Sequence, residues 1–103
     1  MNLEVFKHFD SPAKKEEYAR AILSKWMSVA IYDHPCFNYE SAVALAYAIS
    51  DHDEKRCVHV VEVHQFFVRV IFNEPWTLGL PCVVVDKFRR SYRAPLGLFP
   101  PVK

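Results

Sequence analysis

Residues 57–72 place the strongest constraint on the fold of this chain, because they form a long apolar run without glycine or proline, CVHVVEVHQFFVRVIF. Seven of these sixteen residues are valine or isoleucine and three are phenylalanine, the residue types that favour β-strands. A straight strand of that length would span about 53 Å. A domain of 103 residues has a radius of gyration of only about 13 Å. The run must therefore bend or fold back on itself.

A reversal at residues 64–65 predicts a β-hairpin in which Val61 pairs with Val68 and Cys57 pairs with Phe72 on one face. The opposite face then carries a mixed set of side chains: Val58, Val60, Glu62, Phe67, Arg69 and Ile71. The turn lacks the glycine or asparagine that tight hairpins prefer. A bulged, strongly bent single strand is therefore the alternative interpretation.

A first helix is predicted from Pro12 to about Tyr32. Ser11 can cap its free amides, and proline suits the first helical position, where no amide hydrogen is needed. Apolar side chains recur at helical spacing along this stretch and make one dry side: Tyr18, Ile22, Trp26, Val29 and Ala30. Leu23, Met27 and Ile31 widen this apolar side, so we expect the helix to be covered on more than one side.

A second helix is predicted from Tyr39 to about Ser50. Residues 33–37 are expected to form a connector, because Pro35 disfavours helical geometry in the residue before it. Asn38 can then cap the second helix. Four alanines in that helix allow close approach to a neighbouring element.

The remaining segments complete an α+β domain. A short strand is expected at residues 2–9 and another at residues 82–85. Residues 94–103, APLGLFPPVK, contain three prolines and are expected to form an extended, Pro-rich C-terminal tail or arm. The prediction is thus a single α+β domain over residues 1–103, in the order β-α-α-β-β-β, with two N-terminal helices packed on one face of a small antiparallel or mixed sheet.

Composition and charge exclude several classes of protein. With 51% hydrophobic residues and a formal net charge of +1, the chain is neither disordered nor strongly basic overall. The charge is uneven, because residues 1–54 carry five Lys/Arg and nine Asp/Glu, whereas residues 55–103 carry eight and three. No window is long and apolar enough for a membrane span, and the N-terminus lacks the apolar core of a signal peptide. Three cysteines without a CxxC pair favour a reduced, cytoplasmic protein.

Histidine and cysteine are the first candidates for chemistry. Cys57 and His59 share a face of the predicted strand and, with His64 at its turn, could hold zinc or a similar metal. Cys36 in a loop, close to His34, could act as a nucleophile. Neither spacing matches a standard metal site or catalytic motif. Buried thiols and structural histidines are therefore the simpler interpretation, and no cofactor is predicted.

Residues 87–93 form the most distinctive cluster of charged residues in the sequence. Four cations alternate there with two aromatic side chains: Lys87, Phe88, Arg89, Arg90, Tyr92 and Arg93. Cations next to aromatic rings suit an acidic surface of a protein partner, the phosphates and bases of a single-stranded nucleic acid, or the protection of a sheet edge. Because no nucleic-acid-binding motif accompanies the patch, we favour a protein contact over nucleic acid.

Aromatic residues provide one further candidate site. Trp26, Tyr47, Phe66 and Trp76 could line a cavity between helices and sheet that accepts an apolar or aromatic ligand. The alternative is that they form ordinary core. The chain has only two glycines and no phosphate-binding glycine loop, which excludes nucleotide-binding enzymes built on such a loop.

The apolar excess of the hairpin leads to a functional hypothesis. Two helices cover one face of the predicted sheet, and the apolar side chains of the other face would form an exposed patch that monomers rarely tolerate. We therefore expect a second copy of the chain, or the C-terminal tail, to cover that face. The residues expected in this contact are Val58, Val60, Phe67, Ile71, Leu98 and Phe99. The sequence therefore favours a non-enzymatic interaction protein that acts as a homodimer and docks a protein partner. The alternatives are a module that binds an apolar ligand, a weak single-stranded nucleic-acid binder, and a cysteine- or metal-dependent enzyme.

Overall fold

The structure, a computed structural model, describes residues 12–93. In chain order these residues form α1 (Pro12–Leu23), β1 (Ile31–Pro35), α2 (Tyr39–His52), β2 (Val58–Val63), β3 (Phe67–Phe72), a 3₁₀ turn (Pro75–Thr77), β4 (Val83–Val85) and β5 (Ser91–Arg93). They make an α+β fold with two helices and a mixed sheet, but the predicted order of elements is wrong. The described order is α-β-α-β-β-β-β. The strand expected at residues 2–9 and the tail expected at residues 94–103 lie outside the described residues.

The first helix is shorter than predicted. It begins where expected but ends at Leu23 rather than near Tyr32. The hydroxyl of Ser24 donates a hydrogen bond to the carbonyl of Ala21 at 2.7 Å, and residues 24–28 form turns. Hydroxyl groups that bond to nearby backbone in this way compete with the continuation of a helix.

The residues after these turns form an edge strand that the sequence did not predict. β1 pairs antiparallel with β3, with Ile31 opposite Ile71 and Pro35 opposite Phe67. Its residues suit this position, because Ile31 and Tyr32 favour strands and proline is tolerated in an edge strand. Helix–strand–helix therefore replaces the two successive helices that were predicted, since pairing with β3 outweighs the helical spacing of the apolar side chains.

The second helix agrees with its prediction. α2 runs from Tyr39 to His52, and the Asn38 side chain accepts a hydrogen bond from the Ser41 amide at 2.8 Å. This bond satisfies one of the amides that a helix start leaves free. The buried side of α2 packs against α1, β2 and β3.

β2 and β3 form the predicted hairpin in a shifted register. Val61 lies opposite Val70 and Val63 lies opposite Val68, so each partner is two residues further along β3 than predicted. The turn occupies residues 64–66. A shift of two residues does not move a side chain to the other face of the sheet. The side chains of β3, and those of β2 after its first residues, therefore lie on the faces that the sequence predicted.

A β-bulge at His59 changes the faces at the start of β2. Val58 lies opposite Phe72 and Val60 lies opposite Ile71, so β2 accommodates one extra residue between two neighbouring pairs. Val58 consequently points into the core, where it is fully buried. The prediction had placed it on the opposite face together with Val60.

β4 and β5 extend the sheet on the other side of β2. β4 is parallel to β2, with Val84 opposite Val61, and β5 returns antiparallel, with Tyr92 opposite Val84. The sheet order is β1-β3-β2-β4-β5, so β1 and β5 are the edges of the sheet that residues 12–93 form. The basic patch predicted at residues 87–93 therefore consists of a turn followed by an edge strand.

Helices and sheet form two layers. Side chains from both helices and from one face of the sheet share a single buried cluster. Within residues 12–93, the other face of the sheet has no helical cover. We call it the outer face, and it carries Ile31, Asp33, Pro35, Val60, Glu62, Phe67, Arg69, Ile71, Val83, Val85, Ser91 and Arg93.

Candidate functional site

A buried carboxylate holds the turn between β4 and β5. Asp86 is only 6% exposed. Its Oδ1 accepts hydrogen bonds from the amides of Phe88 and Arg90, both at 2.9 Å, and its Oδ2 accepts one from the Tyr92 hydroxyl at 3.0 Å. Arg89 has a φ of 68°, a left-handed conformation that is uncommon for residues with a side chain. Because hydrogen bonds to a carboxylate are strong, this network fixes the backbone that presents the basic residues.

Phe88 faces solvent between two cations. Its side chain is 64% exposed, with Lys87 Nζ at 5.2 Å and Arg90 Cζ at 5.3 Å from the ring centroid. Lys87 Nζ also lies 4.4 Å from the ring centroid of Tyr39, whose hydroxyl accepts a hydrogen bond from the Lys87 amide at 3.4 Å. The turn is thereby attached to the start of α2, and both cations are in contact with aromatic rings.

Two further phenylalanines lie at the same end of the sheet. Phe37 follows β1 and Phe66 lies in the turn between β2 and β3, and each is 61% exposed. The Phe66 carbonyl accepts a hydrogen bond from the Cys36 amide at 2.7 Å, which joins these two segments. A cavity of about 250 Å³ lies between the β2–β3 turn and the β4–β5 turn. We call this surface the basic end, formed by residues 36–39, 64–66 and 86–90.

The cations of the basic end form no ion pair with a side-chain carboxylate of the described residues, although the Asp86 carboxylate lies in the same turn. Among residues 12–93, no ion pair involves a lysine or arginine of residues 87–93. Lys87, Arg89 and Arg90 are exposed and lie on the turn between β4 and β5. Tyr92 lies opposite Val84 of β4, on the face of the sheet that packs against the core. Arg93 is the last residue of β5, at the end of that strand away from the turn.

The outer face has a continuous apolar row across four strands. Ile31, Ile71, Val60 and Val83 occupy neighbouring positions on β1, β3, β2 and β4. Ile31 is exposed and the other three are half-buried. A row of this kind on an open sheet favours contact with another apolar surface.

The charged side chains at the centre of the outer face are paired with one another. Arg69 donates hydrogen bonds to both carboxylate oxygens of Asp33, at 2.8 and 3.0 Å, and these bonds lower the pKa of Asp33 and raise the pKa of Arg69. Glu62 Oε1 and His64 Nε2 lie 3.0 Å apart, and the His64 ring stacks on Phe67 with 4.3 Å between centroids. Asp33 and Arg69 can therefore be covered without leaving either charge unpaired.

The set of residues predicted for this face is only partly found there. Three members lie on it: Val60, Phe67 and Ile71. Val58 lies in the core because of the bulge, and Leu98 and Phe99 lie outside the described residues. Sequence reasoning missed Ile31, which had been placed in a helix. It also missed Val83, whose strand had no assigned neighbour.

The four aromatic residues predicted to line a ligand pocket do not come together. Phe66 lies at the basic end, and Tyr47 is half-buried on α2, where it packs against the core. Trp26 and Trp76 belong to loops at the opposite end of the sheet. Trp26 lines a groove of about 510 Å³ there. We call this region the groove end, formed by residues 24–30 and 73–82.

The candidate metal ligands do not form a site. Cys57 is buried and His59 is exposed at the bulge, whereas His64 lies about 16 Å from His59, at the other end of β2. Within residues 12–93, no group of three His, Cys, Asp or Glu side chains is placed to hold a metal ion.

The Cys36–His34 pair has the wrong geometry for a nucleophile and its base. The Cys36 thiol donates to the backbone carbonyl of His34, at 3.7 Å, rather than to its ring. Burial raises the pKa of this thiol to about 12. The thiol therefore stays protonated at neutral pH, whereas nucleophilic attack requires the thiolate.

Asp86 is the residue of the candidate site that sequence reasoning missed. An aspartate between a strand and a short polar segment is a signal for a turn, because its carboxylate accepts hydrogen bonds from amides a few residues further on. That signal was present but was hidden by the more conspicuous cations that follow it.

Comparison with known proteins does not assign a family. No family model matches the chain, and no curated protein or solved structure matches it either. In the part of the chain that the structure describes, neither helix has the length and apolar character needed to cross a lipid bilayer. Function is therefore inferred from the two surfaces of this α+β fold, the basic end and the outer face.

Proposed function

We propose that this is a non-enzymatic interaction protein that acts as a homodimer in the cytoplasm and docks an acidic surface of a protein partner through its basic end. The observation that carries the proposal is the turn braced by Asp86, which holds the exposed Phe88 between two cations. Surfaces bind more tightly when their contact groups are already ordered. Aromatic and arginine side chains are also enriched among the residues that dominate protein interfaces.

An acidic protein surface fits the basic end better than a nucleic acid does. Lys87 and Arg90 already lie against the ring of Phe88, so a base could stack on that ring only by displacing them. The cations are confined to one turn, whereas single strands are bound along a groove that follows several phosphates. Carboxylates of a folded partner could pair with these cations while Phe37 and Phe66 supply apolar contacts around them.

A second copy of the chain is the proposed cover of the outer face. The apolar row across this face is stabilised by removal from water. The Asp33–Arg69 ion pair and the Glu62–His64 hydrogen bond are made within one protomer, so these side chains need no polar partner from a second copy. Pairing of one patch with itself across a two-fold axis is the commonest arrangement of homodimers.

The cysteines support the proposed location and lack of catalysis. Cys36, Cys57 and Cys82 are free and buried, and burial raises the pKa of each thiol. Thiols in such surroundings are protonated and unreactive at neutral pH. Free thiols are typical of the reducing cytoplasm, where disulfides are rare.

An acidic probe tests the proposed docking site. Fluorescence anisotropy of a labelled glutamate-rich peptide is measured with the wild type, Arg89→Asn and Lys55→Asn. Arg89→Asn removes one charge, and asparagine tolerates the left-handed backbone at this position. Lys55→Asn removes the same charge from an exposed turn at the other end of the sheet. We expect Arg89→Asn to weaken binding about two- to fivefold, and Lys55→Asn to leave it unchanged.

Two outcomes of this titration would contradict the proposal. Equal weakening by both variants would mean that the peptide responds to net charge and not to the basic end. Tighter binding of an oligothymidine of equal charge would make nucleic acid the ligand class. Both probes are compared at the same physiological ionic strength, since salt screens either interaction.

A further inference from the structure

An apolar groove lies at the groove end, between the loop before β1 and the loop after β3. Its volume is about 510 Å³, and its walls are mainly apolar: Trp26, Met27, Val29, Phe72, Pro75 and Leu78. The two walls are joined where the Phe72 amide donates to the Ala30 carbonyl at 2.9 Å. Met27 is 79% exposed, as is Trp76 next to the groove. The described residues thus leave a large apolar surface open.

The chain continues beyond residue 93 at this same end of the sheet. β5 runs antiparallel to β4 and ends at Arg93, opposite Val83, the first residue of β4. Because β4 is parallel to β2 and β3 is antiparallel to β2, β5 and β3 end on the same side. Three strand spacings, about 14 Å, separate β5 from β3. The ten residues 94–103 can extend about 33 Å, which is enough to reach the groove of their own chain.

Residues 94–103 have the chemistry that suits this groove. They contain three prolines and four large apolar side chains, and their only charged side chain is that of Lys103. Pro-rich segments favour the polyproline II conformation, and the grooves that bind them are lined by aromatic side chains. Trp26 provides an aromatic side chain in this lining, and the exposed Glu74 at the groove offers a partner for a lysine.

We propose that the groove is a docking site for a proline-rich peptide and that residues 94–103 of the same chain occupy it. A proline-rich segment of another protein would then have to displace these residues in order to bind. The docking involves neither the basic end nor the outer face. If the tail does not dock in the groove, the proposed function is unaffected. If the proposed function is wrong, docking of the tail is unaffected.

Disulfide trapping in the full chain tests this proposal. One variant combines Met27→Cys with Phe99→Cys, and the matched control combines Phe66→Cys with Phe99→Cys, because Phe66 is an exposed side chain at the opposite end of the sheet. Both are oxidised at low protein concentration, and the linked residues are identified by peptide mass spectrometry. The three native thiols are buried, so their protection reports that the fold is intact. We expect the first pair to link within one chain about ten times faster than the control pair, because docking raises the local concentration of the tail.

Several results would overturn the proposal. Equal rates for the two pairs, or no link in either, would mean that residues 94–103 do not occupy the groove. A link between two chains would assign the groove to the tail of a second copy. A second measurement covers the case in which the cysteines disturb the fold. Phe99→Ser should shift the tryptophan emission of the wild type to longer wavelength, because Trp26 loses its cover, whereas Phe66→Ser should not; an unchanged spectrum for Phe99→Ser would contradict the docking.

Discussion

His34 and Cys36 illustrate how burial decides what a side chain can do. Their closeness in the sequence made them candidates for a base and a nucleophile. In the fold, the Nδ1 atom of His34 lies 3.3 Å from the Tyr32 hydroxyl, and burial lowers the pKa of the imidazole. Burial also raises the pKa of the Cys36 thiol. Both groups are thereby kept neutral, which is the opposite of the charged pair that activates a cysteine.

Alkaline titration tests the buried state of Cys36. A thiol whose pKa rises on folding contributes stability that is complete below its ordinary pKa of 9.0 and is lost as the pH rises towards about 12. Between about pH 8 and about pH 10, we expect the unfolding free energy of the wild type to fall by roughly 1 kcal/mol more than that of Cys36→Ala. Urea unfolding at each pH measures the difference. Parallel pH profiles of the two proteins would mean that the thiol ionises as readily in the folded state as in the unfolded state.

At the scale of elements, the sequence was informative where local signals and tertiary contacts agree. α2 could be predicted because Asn38 caps it, and the hairpin because residues 57–72 are too long for one straight strand. β1 could not, since Val29, Ile31 and Tyr32 fit the spacing of a helix as well as the preferences of a strand. Pairing with β3, a tertiary contact, decides in favour of the strand.

The candidate surfaces were predictable to a similar, partial extent. The cations of the basic end are visible in the sequence, but the rigidity of their turn depends on the burial of Asp86 beneath it. The bulge at His59 reverses the alternation of side chains, and no glycine marks its position. The parallel pairing of β4 with β2, which brings Val83 to the outer face, involves residues far apart in the chain and leaves no local pattern.

The turn between β4 and β5 should lose stability when its carboxylate is removed. Asp86→Ala deletes the acceptor of three hydrogen bonds, two from amides and one from the Tyr92 hydroxyl. We expect a loss of about 2–4 kcal/mol in the free energy of unfolding, because three hydrogen-bond donors lose a charged partner that is itself buried. Asp86→Asn keeps one acceptor oxygen, so its free energy of unfolding should fall by less. Urea denaturation provides the measurement.

A matched control separates the turn from the general effect of removing a carboxylate. Asp51 is exposed on α2, and Asp51→Ala should change the free energy of unfolding by no more than about 0.5 kcal/mol. If Asp86→Ala were as mild as this control, the carboxylate would not hold the turn, and the ordered presentation of Phe88 would lose its explanation.

At the scale of the whole molecule, residues 12–93 form one helical layer that covers one face of a five-stranded sheet. The outer face spans about 19 Å across the strands and about 17 Å along them, which is small for a permanent interface. We therefore expect the proposed homodimer to exchange with monomer in the micromolar range. Ile71 lies in the middle of the apolar row of this face, so a charge there should prevent association.

Analytical ultracentrifugation at tens of micromolar protein decides whether the outer face joins two copies. The wild type should sediment at twice the protomer mass, and Ile71→Lys should sediment as a monomer because a lysine in the apolar row cannot be covered without loss. Ala21→Lys makes a comparable change on an exposed position of α1 and should remain a dimer. A wild-type protein that is monomeric under these conditions would contradict the proposed homodimer.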